Sequence, residues 1–233
     1  MSKKNIISIH QPGYIPWMGF FKKIQSSDIF VFLDDVQFEK NGWHNRNKIK
    51  TAENWMWLTV PVKVKLGMNL NEIKIDHSTK WIKKHKKSIE LNYSKTEFFS
   101  EYWEDFERIF DNKFEFLIDM NIKFISQILK ILNIKTKVIF SSSLGITEKK
   151  STRILEICKA VNSSNYISGI MGEDYLNKEE FEKNGISIDV QEYQHPIYKQ
   201  NYKSFLPNMS IIDLLFNEGD YSGKILEESK NWE

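Results

Sequence analysis

Apolar residues follow two rhythms along this chain. Residues 5–9 make a short apolar run, and residues 29–33, Ile-Phe-Val-Phe-Leu, read as a fully buried strand. Between them Trp17, Phe20, Phe21 and Ile24 recur at helical spacing, with Pro16 where a first helical turn can spare its missing N–H. This strand, helix, strand unit favours a parallel sheet with a right-handed crossover, whose strands end on one common edge. After Asp34 and Asp35 a polar, Asn-rich stretch at 39–47 reads as loop, residues 55–62 as a strand ending near Pro61, and residues 73–75 as a weaker strand.

From residue 81 to 134 the period becomes helical. Phe98, Phe99, Tyr102, Trp103, Phe106, Ile109 and Phe110 share one face, and residues 117–134 continue the pattern, so a helical insertion is expected at about 79–135 of a single domain covering 1–233. Strands return at 138–140, 166–168 and 186–192, with a helix at 151–161 that carries Cys158 among its apolar residues. Ser210 with Asp213 three residues on predicts a capping-box-like helix start, and Gly219 its C-cap. The expected fold class is α/β with a mostly parallel sheet.

Composition narrows the functional classes. A chain of 233 residues that is 41% hydrophobic and 14% aromatic can bury a core, which excludes disorder and fibrous repeats. No apolar run approaches the ~20 residues of a membrane span, so no membrane insertion is expected. The basic start stops being apolar at His10-Gln11-Pro12 and reads as a first strand, not a signal peptide. The lone Cys158 excludes an internal disulfide and suits a reducing, cytoplasmic setting. Lysine and arginine outnumber the acids by only two, and the arginines are Arg46, Arg108 and Arg153 alone, so no nucleic-acid partner is expected.

The polar residues of interest fall just past the strand ends: His10 and Gln11, then Asp34, Asp35 and Gln37, then 141–143, Ser168 and Gly169, and His195. In an open α/β sheet those ends line the binding crevice. His10 is the candidate proton-transfer group, because imidazole titrates near neutrality; the plain alternative is a hydrogen bond to the turn at Pro12. Asp34 and Asp35 are adjacent, so in a strand they would point to opposite faces and only one would reach the site. Arg46 offers a planar fork for phosphate or carboxylate, or a structural ion pair. Residues 149–153 open a helix where an anion could be received, or where Ser151 simply caps. Gly169 and Gly172 mark a close backbone approach or a tight bend. No spacing of His10, an aspartate and His195 assigns a metal site, and no activated cysteine or serine triad supports a covalent mechanism.

The block HQPGYIPWMGFF at residues 10–21 resembles the WbqC-like family. The likeness continues through 28–38, 45–49, 57–61, 166–169, 195–200 and 210–216, nearly the whole chain. The resemblance implies a setting among bacterial O-antigen and surface-polysaccharide genes, where sugar nucleotides are aminated and acylated. It makes His10, Asp34 and Asp35 the catalytic candidates, and Gln11, Tyr14, Trp17, Gln37, Arg46, Ser168, Gly169 and His195 the substrate-binding ones. The opening strand, proline loop, helix and strand are also similar to pantothenate synthetase, which implies a Rossmann-like, nucleotidylyltransferase-like topology. The His-x-Gly-His motif of those enzymes is replaced here by Tyr14-Ile15-Pro16-Trp17, which removes ATP activation by that motif.

Together these readings imply a transferase that acylates or aminoacylates the amino group of a nucleotide-linked sugar. Its partners would be that sugar nucleotide and an acyl or aminoacyl donor, free or on a carrier protein; no cofactor is assigned. The rivals are an ATP-dependent ligase or nucleotidylyltransferase, and a non-catalytic glycan-binding or scaffold protein contacting sugar rings through Trp17, Trp43 and Trp55.

Overall fold

A computed structural model describes residues 5–231; the basic residues 1–4 before the first strand lie outside them. The first strand, β1 (Asn5–His10), runs into the Pro-rich loop and helix α1 (Met18–Gln25), which returns the chain to β2 (Ile29–Phe32). The expected strand, helix, strand unit is therefore present, with Trp17 rather than Pro16 at the helix boundary. After β2 comes an antiparallel hairpin, β3 (Arg46–Lys50) and β4 (Trp55–Thr59), then the two-residue pair β5 (Val62–Lys63) and β6 (Lys74–Ile75).

Part of the stretch read as Asn-rich loop is thus a strand. Its polar residues alternate inward and outward, so that Asn47 and Ile49 are buried while Arg46 and Lys48 stay partly open. The single strand expected over 55–62 is interrupted after Thr59, and Pro61, which has no N–H for a ladder, sits in the break.

Three helices follow in the stretch whose period reads as helical: α2 (Trp81–Tyr93), α3 (Phe99–Asp111) and α4 (Leu117–Ile131). The chain then adds β7 (Lys137–Phe140), α5 (Lys150–Ala160), β8 (Ser163–Gly169), α6 (Lys178–Lys183) and β9 (Ser187–Gln191), and ends with α7 (Ile211–Glu218) and α8 (Tyr221–Glu228). The five long-range strands form one sheet in the order β7-β2-β1-β8-β9, and every neighbouring pair is parallel.

Alternation in the strands divides the core in two. Phe30 and Phe32 join α1, α2, α3, α4 and α7 on one face, whereas Ile7, Ile9, Ile29 and Val31 pack with Ile154, Leu155, Cys158 and Phe181 of α5 and α6 on the other. Ser8 and His10 consequently face α1: Ser8 Oγ donates to Lys23 O at 3.2 Å, and the His10 ring stands edge-on to Phe20 at 5.3 Å. Because the connection leaving β1 runs to β2 on one side and the connection leaving β8 runs to β9 on the other, the carboxyl ends of β1 and β8 flank the sheet's topological switch point.

The tail corrects the expected capping box. Ser210 precedes α7 but makes no cap; its hydroxyl donates to Ile15 O at 2.8 Å, and the Asp213 carboxylate turns inward to Tyr93, Tyr198 and Gln200. Gly219 does end α7, at φ +54°, and a side chain there would run into Phe98. Among the described residues no helix is long and apolar enough to cross a membrane.

Candidate functional site

The loop after β1 is held by buried side chains drawn from distant segments. Asn121 Nδ2 donates to His44 O at 2.8 Å and to Pro12 O at 3.3 Å, Asn47 Nδ2 donates to Ile15 O at 2.6 Å, and Tyr14 N–H donates to Trp43 O at 3.1 Å. These bonds maintain Ile15 at φ +41°, a region that β-branched residues avoid. The strain sits five residues after His10, inside the Pro-rich block.

His10 closes β1. Its Nδ1 lies 2.8 Å from Gln11 O, and since a carbonyl only accepts, Nδ1 carries the proton and Nε2 holds a free lone pair. The ring keeps solvent-accessible surface, yet the protein mass around it, then the nearby Lys23 charge, push its pKa down to about 4. It is therefore a neutral imidazole at pH 7. His44, buried beside the same loop, is pushed down as well, chiefly by desolvation.

Lys23, which sequence reasoning passed over, reaches the same place. On a helix antiparallel to β1, side chains lean toward the helix N-terminus and so toward the strand's carboxyl end. Lys23 is 2% exposed, its Nζ donates to Ile9 O at a long 3.4 Å, and burial pushes the amine down to about 7. Its one sequence signal is angular: it lies three residues after Phe20 on the flank of the apolar face, while Lys22 points further away. In a lysine-rich chain that difference is easily lost.

On the β8 side, the parallel register that pairs Ser8 with Ile167 brings His10 level with Gly169 when continued by two residues. A Cβ built on Gly169 would meet one heavy atom within 4 Å, Lys23 Nζ at 3.8 Å. Ser168 is fully buried, and its hydroxyl donates to Gly169 O at 3.0 Å while pressing on Gly172. Close packing against Ser168 is thus the reason for glycine at 172.

The two aspartates form a separate cluster. Both carboxylates turn toward Ser141, contrary to the opposite-face expectation, because β2 ends at Phe32 and strand alternation no longer governs residues 34 and 35. Asp34, 5% exposed, accepts from the Ser141 hydroxyl at 3.0 Å and from the Ser142 N–H and hydroxyl at 2.9 and 2.6 Å. Asp35 is bound by Arg153 at 2.6 Å, so that arginine serves an ion pair. Ser151 is no cap either: α5 begins at Lys150, and Ser151 Oγ accepts the Asn177 N–H at 2.8 Å.

The remaining candidates are spread out. Trp17 stands edge-on to Tyr193 at 5.3 Å, and Tyr193 to His195 at 6.0 Å, an aromatic flank beside the start of α1. His195 donates Nδ1–H to Pro196 O at 2.8 Å. Tyr14 is completely buried and bonded to His85 Nδ1 at 2.9 Å, inside the core. Gln37 is exposed, on an isolated bridge to Asn69. Arg46 lays its guanidinium 4.3 Å over Trp57 and donates to Asn41 O, while Lys48 lies 4.2 Å over Trp55. Those ring faces are occupied by cations.

Two hollows accompany these groups. One of about 360 Å³ lies between Asp34 and Phe140 at the strand ends and Phe116 and Asp119 at the start of α4. A larger one, about 560 Å³, is bounded by Trp57, Trp81, His85 and Lys84 and shares no lining residue with the strand-end group. Among the described residues no three His, Cys, Asp or Glu side chains gather as a metal site would require.

No solved structure matches the chain. An uncharacterized protein of Mycobacterium tuberculosis, Rv1507c, is 34% identical over 217 residues, which cover 91% of this chain and 94% of that relative. The profile of the WbqC-like protein family matches residues 11–225, a span that takes in the Pro-rich loop, helices α2, α3 and α4 and the ends of β2, β7, β8 and β9, and that begins one residue after His10; the chain belongs to the WbqC-like protein family.

Proposed function

We propose that this chain is a transferase that acylates or aminoacylates the amino group of a nucleotide-linked sugar, with His10 as proton acceptor. The observation that carries the reading is the free Nε2 of a neutral His10 at the sheet's switch point. Numbered by appearance, the strands of the sheet run 3-2-1-4-5, an order that supports the Rossmann-like, nucleotidylyltransferase-like topology and a ligand across the β1/β8 ends. The amine nitrogen attacks the donor carbonyl, a C–N bond forms, and the bond to the donor's leaving group breaks. The amine proton passes to His10 Nε2 and from there to the leaving group.

The route needs no enzyme nucleophile, which agrees with a Cys158 thiol that is buried in α5 and pushed up to about 12 by desolvation. Asp34 and Asp35 support the β2 and β7 ends through Ser141, Ser142 and Arg153, and His10 is oriented by the hydrogen bond that its Nδ1–H donates to Gln11 O. The test is incubation of the full chain with amino-sugar nucleotides and activated acyl donors, read by mass spectrometry. His10→Gln should lower turnover by about 10²-fold or more. A folded His10→Gln chain with unchanged turnover removes His10 from the chemistry, and release of pyrophosphate that depends on ATP would favour the ligase.

A further inference from the structure

We propose that Lys23 is an oxyanion-binding residue, whose ammonium takes a phosphate or carboxylate oxygen of the ligand beside Gly169. The inference rests on the switch-point site of the preceding reading for its place, and goes beyond it in assigning a charged contact that the strand-end residues lack.

Two independent observations carry it. The first is Lys23 itself: 2% exposed, with no carboxylate partner among the described residues and one long hydrogen bond for three N–H donors. A buried charge without a partner is costly, and proteins retain such groups where a ligand completes them. The second is Gly169. Its backbone, φ −82° and ψ 164°, is extended and open to any residue, so conformation does not demand glycine. Packing does not demand it either, since the one atom near an added Cβ is Lys23 Nζ, 3.8 Å away. What glycine does here is keep any side chain from standing beside the ammonium.

The neighbouring chemistry agrees. Burial brings the Lys23 amine down to about 7, so an arriving oxyanion restores a full positive charge that water alone does not sustain. Lys23 is also among the causes that depress His10. An anion seated on Lys23 offsets that charge and makes His10 a better base once substrate is bound.

The experiment is calorimetric titration of the full chain at pH 7 with uridine diphosphate, uridine, inorganic pyrophosphate and malonate. The wild type should bind the diphosphate at least tenfold tighter than uridine, about 1.4 kcal/mol. Lys23→Met and Gly169→Val should each bring the diphosphate to the level of uridine. Lys23→Met should also raise Tm, because it removes a buried unpaired charge. If Lys23→Met does not fold, Gly169→Val still sets a side chain beside the ammonium and decides. Pyrophosphate binding assigns the oxyanion as phosphate; malonate binding with no pyrophosphate binding assigns it as carboxylate. Equal wild-type affinity for all four probes, or full diphosphate affinity in both folded variants, overturns the proposal. A wild type that binds the diphosphate through Lys23 yet yields no acylated product sinks the transferase reading and leaves Lys23 in place. Product formation with unaltered diphosphate affinity in Lys23→Met does the reverse.

Discussion

Arg153, in the first turn of α5, holds Asp35 at 2.6 Å across the end of the sheet, with the two side chains 12% and 22% exposed. The pair ties the loop after β2 to the helix on the face opposite α1. Removing one partner leaves the other charge poorly solvated, so Asp35→Ala should destabilise the chain by about 1–3 kcal/mol. The double variant Asp35→Ala/Arg153→Met should recover part of that. A urea-unfolding cycle that returns a coupling below about 0.5 kcal/mol would make the pair incidental.

Gly172 gives a sharper steric test. A Cβ there would lie 1.8 Å from Ser168 Oγ and 3.1 Å from Ser168 Cβ. Gly172→Ala should therefore cost about 1–3 kcal/mol, as overpacking does. Ser168→Ala/Gly172→Ala removes the worst contact and should be more stable than Gly172→Ala alone in thermal unfolding. If the single variant melts with the wild type, the turn after β8 is looser than its packing implies.

The strands and helices that the sequence announces are those whose apolar residues keep one period, as in residues 29–33 and 98–110. What it conceals depends on partners far along the chain. Strand β3 is polar by composition because Asn47 and Lys50 are satisfied by Ile15 and by the Gln200–Ser204 turn. Asp213 resembles a cap from its spacing to Ser210, whereas its carboxylate accepts from Tyr93, Tyr198 and Gln200 at 2.7–2.8 Å. His10, Gln11, Ser168 and Gly169 could be picked out because strand ends are legible. Lys23 could not, since only its tilt along α1 toward the carboxyl end of β1 distinguishes it from thirty-two other cations.

The strained Pro-rich loop predicts a dependence on Asn47. Ile15 O accepts from Asn47 Nδ2 at 2.6 Å and Ser210 Oγ at 2.8 Å, and these two bonds secure the residue at φ +41°. Asn47→Ala should cost about 1–3 kcal/mol of stability through the lost buried bond. Native-state hydrogen exchange should show the loss concentrated in the amides of residues 11–17. Uniform acceleration across the sheet would mean that Asn47 supports the hairpin and not the loop.

His85 predicts how stability responds to acid. Its Nε2–H donates to Thr59 O at 3.1 Å and its Nδ1 accepts from Tyr14 at 2.9 Å, so the folded chain holds it neutral, and burial lowers its pKa from 6.5 to about 4. Between those values the unfolded chain binds a proton that the folded chain refuses. Stability is therefore full above pH 6.5 and falls as pH drops toward 4, by up to about 3 kcal/mol for this one group. His10, His44 and His195 are depressed too and act in the same direction. His85→Gln should be less stable than wild type at pH 7, because one of the two buried bonds is lost. Its stability should nevertheless decline less between pH 7 and pH 4.5, by about 2 kcal/mol. Urea unfolding at the two pH values checks this. An unchanged decline would assign the acid sensitivity to the other histidines and leave the Tyr14–His85 bond without a role in it.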